Sequence, residues 1–235
     1  MLTLPGPPLI EIALRRSARA KRFSLRVSRL DGKITLSMPL RARESEAAAF
    51  ARAQEGWLRN ALARMPVVAG VALGGELPFE GRLLRLMPGA GRAVVSTDDS
   101  LLVPGDSGSA GARVQAWLRV RARDRLVAAS DHYAGLLGRK VVRITLRDTR
   151  SRWGSCTADG ALMYSWRLIM APPSVLNYVA AHEVAHLAEM NHSPRFWAVV
   201  DRLYPNWQAE RAWLHRHGGA LHALRFQGQP EEHET

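Results

Sequence analysis

The feature that most constrains this chain is His182-Glu183-Val184-Ala185-His186, followed shortly by Asn191-His192-Ser193-Pro194. Residues four apart on a helix lie one turn apart on one face. His182 and His186 therefore present two imidazoles to a single point. Glu183, one position round, is badly placed to join them as a ligand but well placed to touch a water between them and a substrate, which is the logic of metal-assisted hydrolysis. On an unbroken helix His192 would sit about 240° round from His186 and point away. Asn191 is a good left-handed helix terminator, and Ser193-Pro194 is an N-cap and first-turn pair. The order is a stop, a histidine and a restart, so the fold must end one helix and begin another around His192. With 8 histidines in 235 residues, a chance H-E-x-x-H is expected in about one chain in seventy. The grouping is read as a metal site with three nitrogen ligands. Zinc suits three such ligands with one position left open, although the geometry would also admit Mn, Fe or Co.

The rest of the composition sets the surroundings. Apolar residues make up 47% of the chain, enough for a real core. Lys and Arg outnumber Asp and Glu by 33 to 21, a net charge of +12, which favours acidic partners such as nucleic acid or nucleotides. The lone cysteine, Cys156, excludes an intrachain disulfide and points to a reducing compartment. The N-terminus does not read as a signal peptide. The longest apolar runs, such as residues 67–73, are too short to span a bilayer. The expectation is a cytoplasmic protein with no membrane partner.

Periodicity and turn residues divide the chain. Residues 1–9 read as a Pro-rich extended tail. Residues 22–29 and 33–38 alternate around Asp31-Gly32 as a hairpin. Residues 43–64 read as one helix with Phe50, Trp57, Leu58 and Leu62 on a face, and short strands and turns fill 67–104. Residues 105–111 (GDSGSAG) read as a linker. Beyond it the expectation is a long helix over 112–137, strands over 140–147 and 161–170, a helix opened by Pro172-Pro173-Ser174, a helix from Ser193, and a last helix over about 206–216. This gives a β-rich N-terminal region (1–104) with one helix, a metal-binding catalytic domain (112–218) and a polar C-terminal tail (219–235).

Other residues carry weaker signals. Cys156 is a possible fourth ligand but reads as packed. Glu189 reads as solvated or as an outer partner of the site. His132 reads as a helix-surface residue, and His215, His217, His222 and His233 as non-ligands in a polar end. Arg15, Arg16, Arg19, Lys21, Arg22, Arg26 and Arg29, with only Glu11 nearby, form a candidate anion-binding edge or a solvated strand face.

SRWGSC (151–156), WRLIMAPP (166–173), HEVAHL (182–187) and NHSPRFW (191–197) together resemble the YgjP-like metallopeptidases, zincins related in their site helix to SprT-type proteases. The match is densest over 139–215. It implies an α+β fold with a zincin-like core, in which the strand at 161–170 lies against the site helix. It also implies Zn2+ held by His182, His186 and His192, with Glu183 catalytic. The third-histidine spacing equals that of metzincins, but Glu189 stands where they have Gly, and no Met-turn is evident. The leading function is hydrolysis of peptide bonds in a peptide or protein substrate by a metal-activated water with Glu183 as general base. The alternatives are a metal-dependent phosphohydrolase acting on nucleotides and a nucleic-acid-associated protease or binding module. Arg152, Tyr164, Arg167 and Tyr204 are open candidates for stabilising the oxyanion.

Overall fold

The computed structural model describes residues 1–28, 32–65 and 68–226. The chain is mixed α+β and divides by its own contacts into residues 1–67 and 68–235. The expected division at 105–111 is not found. Those residues are bound into the second unit, where Asp106 caps a helix by accepting a hydrogen bond from the Ser109 amide. A short Gly/Ser run there supplies a cap rather than a hinge.

In the first unit β1 (Leu2–Leu4), β2 (Ile10–Ser17), β3 (Ser24–Val27) and β4 (Ile34–Pro39) form a sheet in the order β1-β2-β4-β3. The first residues are thus not a tail: Leu2 to Leu4 pair antiparallel with Ile12 to Ile10, and Leu4 is buried. The expected hairpin is present, with Ser24–Val27 antiparallel to Ile34–Ser37; Asp31 lies outside the described residues. Ile10, Ile12, Ile34, Leu36 and Met38 alternate inward and pack with Ala47, Ala51 and Leu58, the period-2 pattern of a half-covered sheet. The single helix expected over 43–64 is two, α1 (Glu44–Ala53) and α2 (Glu55–Ala63). They break at Gln54, and Trp57 is 48% exposed rather than on the buried face.

The second unit contains β5 (Ala69–Val71), a sheet of β6 (Glu76–Phe79), β7 (Arg82–Gly89), β8 (Val95–Ser96) and β9 (Ser100–Pro104), and α3 (Ser107–Leu137). At about 1.5 Å per residue, α3 is roughly 46 Å long. It buries Val114, Leu118, Ala122, Leu126 and Tyr133 along one stripe and ends at Gly138, which is left-handed (φ 66°), as a C-terminal glycine allows. A three-stranded sheet follows, ordered β10 (Arg143–Arg147), β12 (Ala161–Ser165), β11 (Gly154–Cys156). The strand expected over 161–170 stops at Ser165. Trp166–Met170 are a 3-10 helix, and all five are buried. Burial on every side removes the alternation that would mark a strand, so this apolar run did not reveal its form.

Three more helices complete the unit: α4 (Pro173–Ala185), α5 (Pro194–Leu203) and α6 (Gln208–Ala223). α4 carries Pro at its first position as expected. Val175, Val179, Ala180, Ala181, Val184 and Ala185 are all buried, and α4 packs against α3, α5, α6 and β11. The C-terminal residues are not a polar tail up to Phe226. α6 runs to Ala223, and β13 (Leu224–Phe226) pairs in parallel with β5. Leu221, His222, Ala223 and Phe226 are buried. Among the described residues no helix is long and apolar enough to cross a membrane.

His222 stacks on Trp153, with ring centres 4.5 Å apart, where Gly218 lets α6 come close: a Cβ there would lie 2.8 Å from the indole. Burial, helped by the charge of Arg167, lowers the His222 pKa from 6.5 to about 4. The unfolded chain therefore takes up this proton below pH 6.5 and the folded chain does not until about pH 4. The stability it contributes is whole above the upper value and is lost as pH falls through the window, by about 3 kcal/mol in all. His222→Phe, which keeps the stack, is expected to remove about one proton from the acid dependence of unfolding over that window. Urea unfolding at a series of pH values checks this; identical slopes for both proteins would refute it.

Candidate metal centre

α4 places His182 and His186 one turn apart, and the chain brings His192 back to them. One ring nitrogen from each of the three lies within 4.8 Å of the others. The Nε2 atoms of His182 and His192 are 3.1 Å apart. The turn that achieves this differs from the expected one. α4 ends at Ala185, and the next amides close tight turns: Leu187 donates to Val184 O, and Ala188 and Glu189 donate to Ala185 O. Asn191 is not left-handed; among the described residues Asn206 and Glu80 are the non-glycine positions with positive φ. The restart is as expected, since Ser193 accepts from the Phe196 amide and Pro194 takes the first helical position.

Phe196, fully buried, is the floor of the cluster. Its ring stacks on His186 at 4.4 Å and meets His182 and His192 edge-on at 4.9 and 4.7 Å. His186 Nδ1–H donates to the backbone carbonyl of Glu189 at 3.1 Å. This leaves the Nε2 lone pair for the cluster, the usual arrangement behind a ligating imidazole. Glu189 thus serves through its main chain rather than its carboxylate. Nδ1 of His182 is buried with no hydrogen-bond partner among the described residues. Burial, reinforced by His186 and His192, lowers the His182 pKa to about 3, and burial lowers that of His186 as well. These rings keep their lone pairs at neutral pH.

Glu183 is buried, 6% exposed, and faces a cleft of about 380 Å³ beside the cluster. Burial pushes its pKa up to about 8, with Arg152 pulling the other way. The carboxylate lies against Gly154 on β11. A Cβ at that position would stand 2.6 Å from both Cγ and Oε1 of Glu183. Glycine is therefore required by close approach rather than by backbone angle. Gly154→Ala is expected to displace the carboxylate and lower any turnover by about a hundredfold, the scale of an ångström's misplacement, with metal content unchanged. Full activity in the alanine variant would show that the position of Glu183 is immaterial.

Of the four candidates for stabilising an oxyanion, Arg152 alone lines the cleft. The Tyr164 hydroxyl is paired with Ser130. Arg167 is buried, bidentate to Asp148 and bonded to Leu221 O. The Tyr204 hydroxyl donates to Glu210. Cys156 is half-buried and outside the three-histidine group. Its thiol donates to Thr157 O, and burial, with the charges of Glu183 and Asp159, pushes its pKa up to about 11. His132 is exposed, as expected. His215 and His217 are exposed on α6, with His215 at the cleft; His233 lies outside the described residues. Tyr178 and Arg211 also line the cleft, and sequence reasoning missed both. Tyr178 was legible, because it precedes His182 by four and so shares its face. Arg211 comes from α6, and nothing local marks it.

A buried helix with two histidines and a glutamate, and a third histidine returned by a tight turn, bring together a group that could hold a metal ion, with an edge strand beside the glutamate. Residues 21–217 match the model of the YgjP-like metallopeptidase domain. The chain belongs to the YgjP-like family and is a metal-dependent peptidase acting on peptides or proteins. Among solved structures it is similar to the metallopeptidase zymogen abylysin of Pyrococcus abyssi. The identity is 18% and the TM-score 0.35, over 40% of this chain and 92% of that one. A search of curated proteins finds no match.

Proposed function

We propose that the chain cleaves peptide bonds with a zinc ion held by His182, His186 and His192 and with Glu183 as general base. The observation that carries this reading is the convergence of three ring nitrogens within 4.8 Å. Zn–N bonds of about 2.0–2.1 Å place tetrahedral ligands about 3.3 Å apart, close to the 3.1 Å between His182 and His192. Three imidazoles, one oriented by the Glu189 carbonyl, are a donor set that zinc takes. A divalent ion held there supplies Lewis acidity to the scissile carbonyl and acidifies the attacking water.

The remaining work falls to the chain. β11 is an edge of its sheet, so its outer side offers backbone groups to an extended peptide, beside the Glu183 carboxylate that Gly154 seats. Glu183 takes the proton of the attacking water and passes it to the departing amine. Arg152 supplies positive charge where the oxyanion develops. The test is hydrolysis of casein and of nucleoside triphosphates, side by side, with and without chelator. Chelator-sensitive cleavage of casein is expected. Phosphate release with casein untouched would favour the phosphohydrolase instead.

A second reading, of a nucleic-acid contact, is favoured by where the charge lies. Residues 1–67 hold 13 Lys and Arg against 5 Asp and Glu, a surplus of eight, leaving four of the twelve for the other 168. Arg16 is spent on Leu40 O, Ala42 O and Glu44, and Arg29 lies outside the described residues. Arg15 and Arg26 stand exposed on the sheet face that alternates with the buried one, and Arg19, Lys21 and Arg22 are exposed in the turn between β2 and β3. Binding to a DNA duplex should weaken with salt by about 0.9 log units per log unit for each phosphate contacted. Arg15→Ser with Arg26→Ser should lower that slope by about two; an unchanged slope would remove this face from any contact.

A further inference from the structure

The cleft beside Glu183 is lined by Arg152 and Arg211, and Glu183 is the one carboxylate among its lining residues. Neither arginine has an ion-pair partner among the described residues. Arg167, by contrast, is buried against Asp148 and serves the core. Both open arginines act on the site through their charge, Arg152 on Glu183 and Arg211 on His182 and Tyr178.

Arg211 is also held in place. Trp197 and Trp207 stack at 4.3 Å, and Trp207 lies nearly parallel to Tyr178 at 6.2 Å. The Arg211 guanidinium carbon sits 5.3 Å from the Trp197 ring centre and 5.8 Å from that of Trp207. Trp197 in turn borders His182 and His192, at 5.7 and 5.9 Å. An aromatic ladder thus runs from the histidines to the cleft wall with a guanidinium resting on it. A guanidinium stacked on rings keeps its in-plane N–H donors free. It presents them as a preformed fork that matches a carboxylate and loses little freedom on binding one.

We propose that Arg211 selects substrates that present a carboxylate beside the scissile bond. The inference rests on the peptidase reading and names its substrate class. The carboxylate comes either from an acidic side chain or from a peptide C-terminus. Arg211 is a specificity residue here, exposed on α6, so its replacement leaves the core intact.

The test uses the zinc-loaded full chain and peptides that differ only in one residue next to the cleaved bond: Asp, Asn or Lys. Each is made as free acid and as C-terminal amide. kcat/KM is expected to favour Asp over Lys by about tenfold or more. Arg211→Glu should reverse that order, and Arg211→Lys should keep its direction at reduced size. A preference that follows the free acid and ignores the side chain assigns the carboxylate to the C-terminus. Equal kcat/KM for all three side chains and both termini, or a preference untouched by Arg211→Glu, overturns the proposal. Binding of the same peptides to the Glu183→Gln protein, read by tryptophan fluorescence, separates the two levels. Tighter binding of the acidic peptide that Arg211→Glu abolishes upholds carboxylate selection even if no peptide is cleaved. Equal binding of all the peptides, whatever the side chain and whether free acid or amide, refutes it even if they are cleaved.

Discussion

Glu183→Gln is expected to lower peptide hydrolysis by about 10²–10⁴-fold, the range for loss of a general acid–base group, while leaving the metal in place. The substitution keeps the side-chain shape that packs against Gly154 and removes only the ability to accept a proton. The three imidazole nitrogens that converge are separate from it. In the native protein activity should rise with pH as Glu183 ionises. Burial raises its pKa toward 8, and a neighbouring cation acts the other way by favouring the carboxylate. Acid release of zinc should persist in the glutamine variant, because protons there compete for imidazole rather than for the carboxylate. Metal retention and hydrolysis measured over one pH series decide this. If the acid release disappeared in the variant, Glu183 would be holding the ion itself.

His192→Ala has the other large effect. His192 is exposed, between the end of α4 and the start of α5, so its loss should leave both helices folded. It supplies one of three converging nitrogens, 3.1 Å from that of His182. Removing an outer partner of a ligand already costs about 10–100-fold in metal affinity, and removing a ligand should cost more. The variant should lose zinc on dialysis, with its far-ultraviolet dichroism unchanged. A His192→Ala protein that keeps one zinc after dialysis would take His192 out of the ligand set.

The parts of the site visible in the sequence were those fixed by helical spacing. His182 and His186 are four apart, and Ser193-Pro194 is a local cap, so each needs only its neighbours to be read. The path between them was less legible. Asn191 has the right chemistry for a left-handed stop, yet the turn is closed earlier by the amides of Leu187, Ala188 and Glu189. The 3-10 form of Trp166–Met170 was hidden because a segment buried all round shows no period. GDSGSAG reads as a linker by composition alone, but Asp106 makes it a helix start. Gly154 and Arg211 act through contacts made far along the chain: β11 against α4, and α6 at the cleft. No local pattern encodes such contacts. His222 and Phe226 read as a polar end because the residues around them are polar, whereas the stack on Trp153 draws His222 inward and strand pairing with β5 draws in Phe226.

The most direct measurement is peptide hydrolysis by metal-stripped protein titrated with zinc. Activity should be absent at the start, rise in proportion to added zinc and level off at one equivalent per chain. Unchanged hydrolysis in the metal-free protein, or none at any zinc concentration, would contradict a peptidase built on His182, His186, His192 and Glu183.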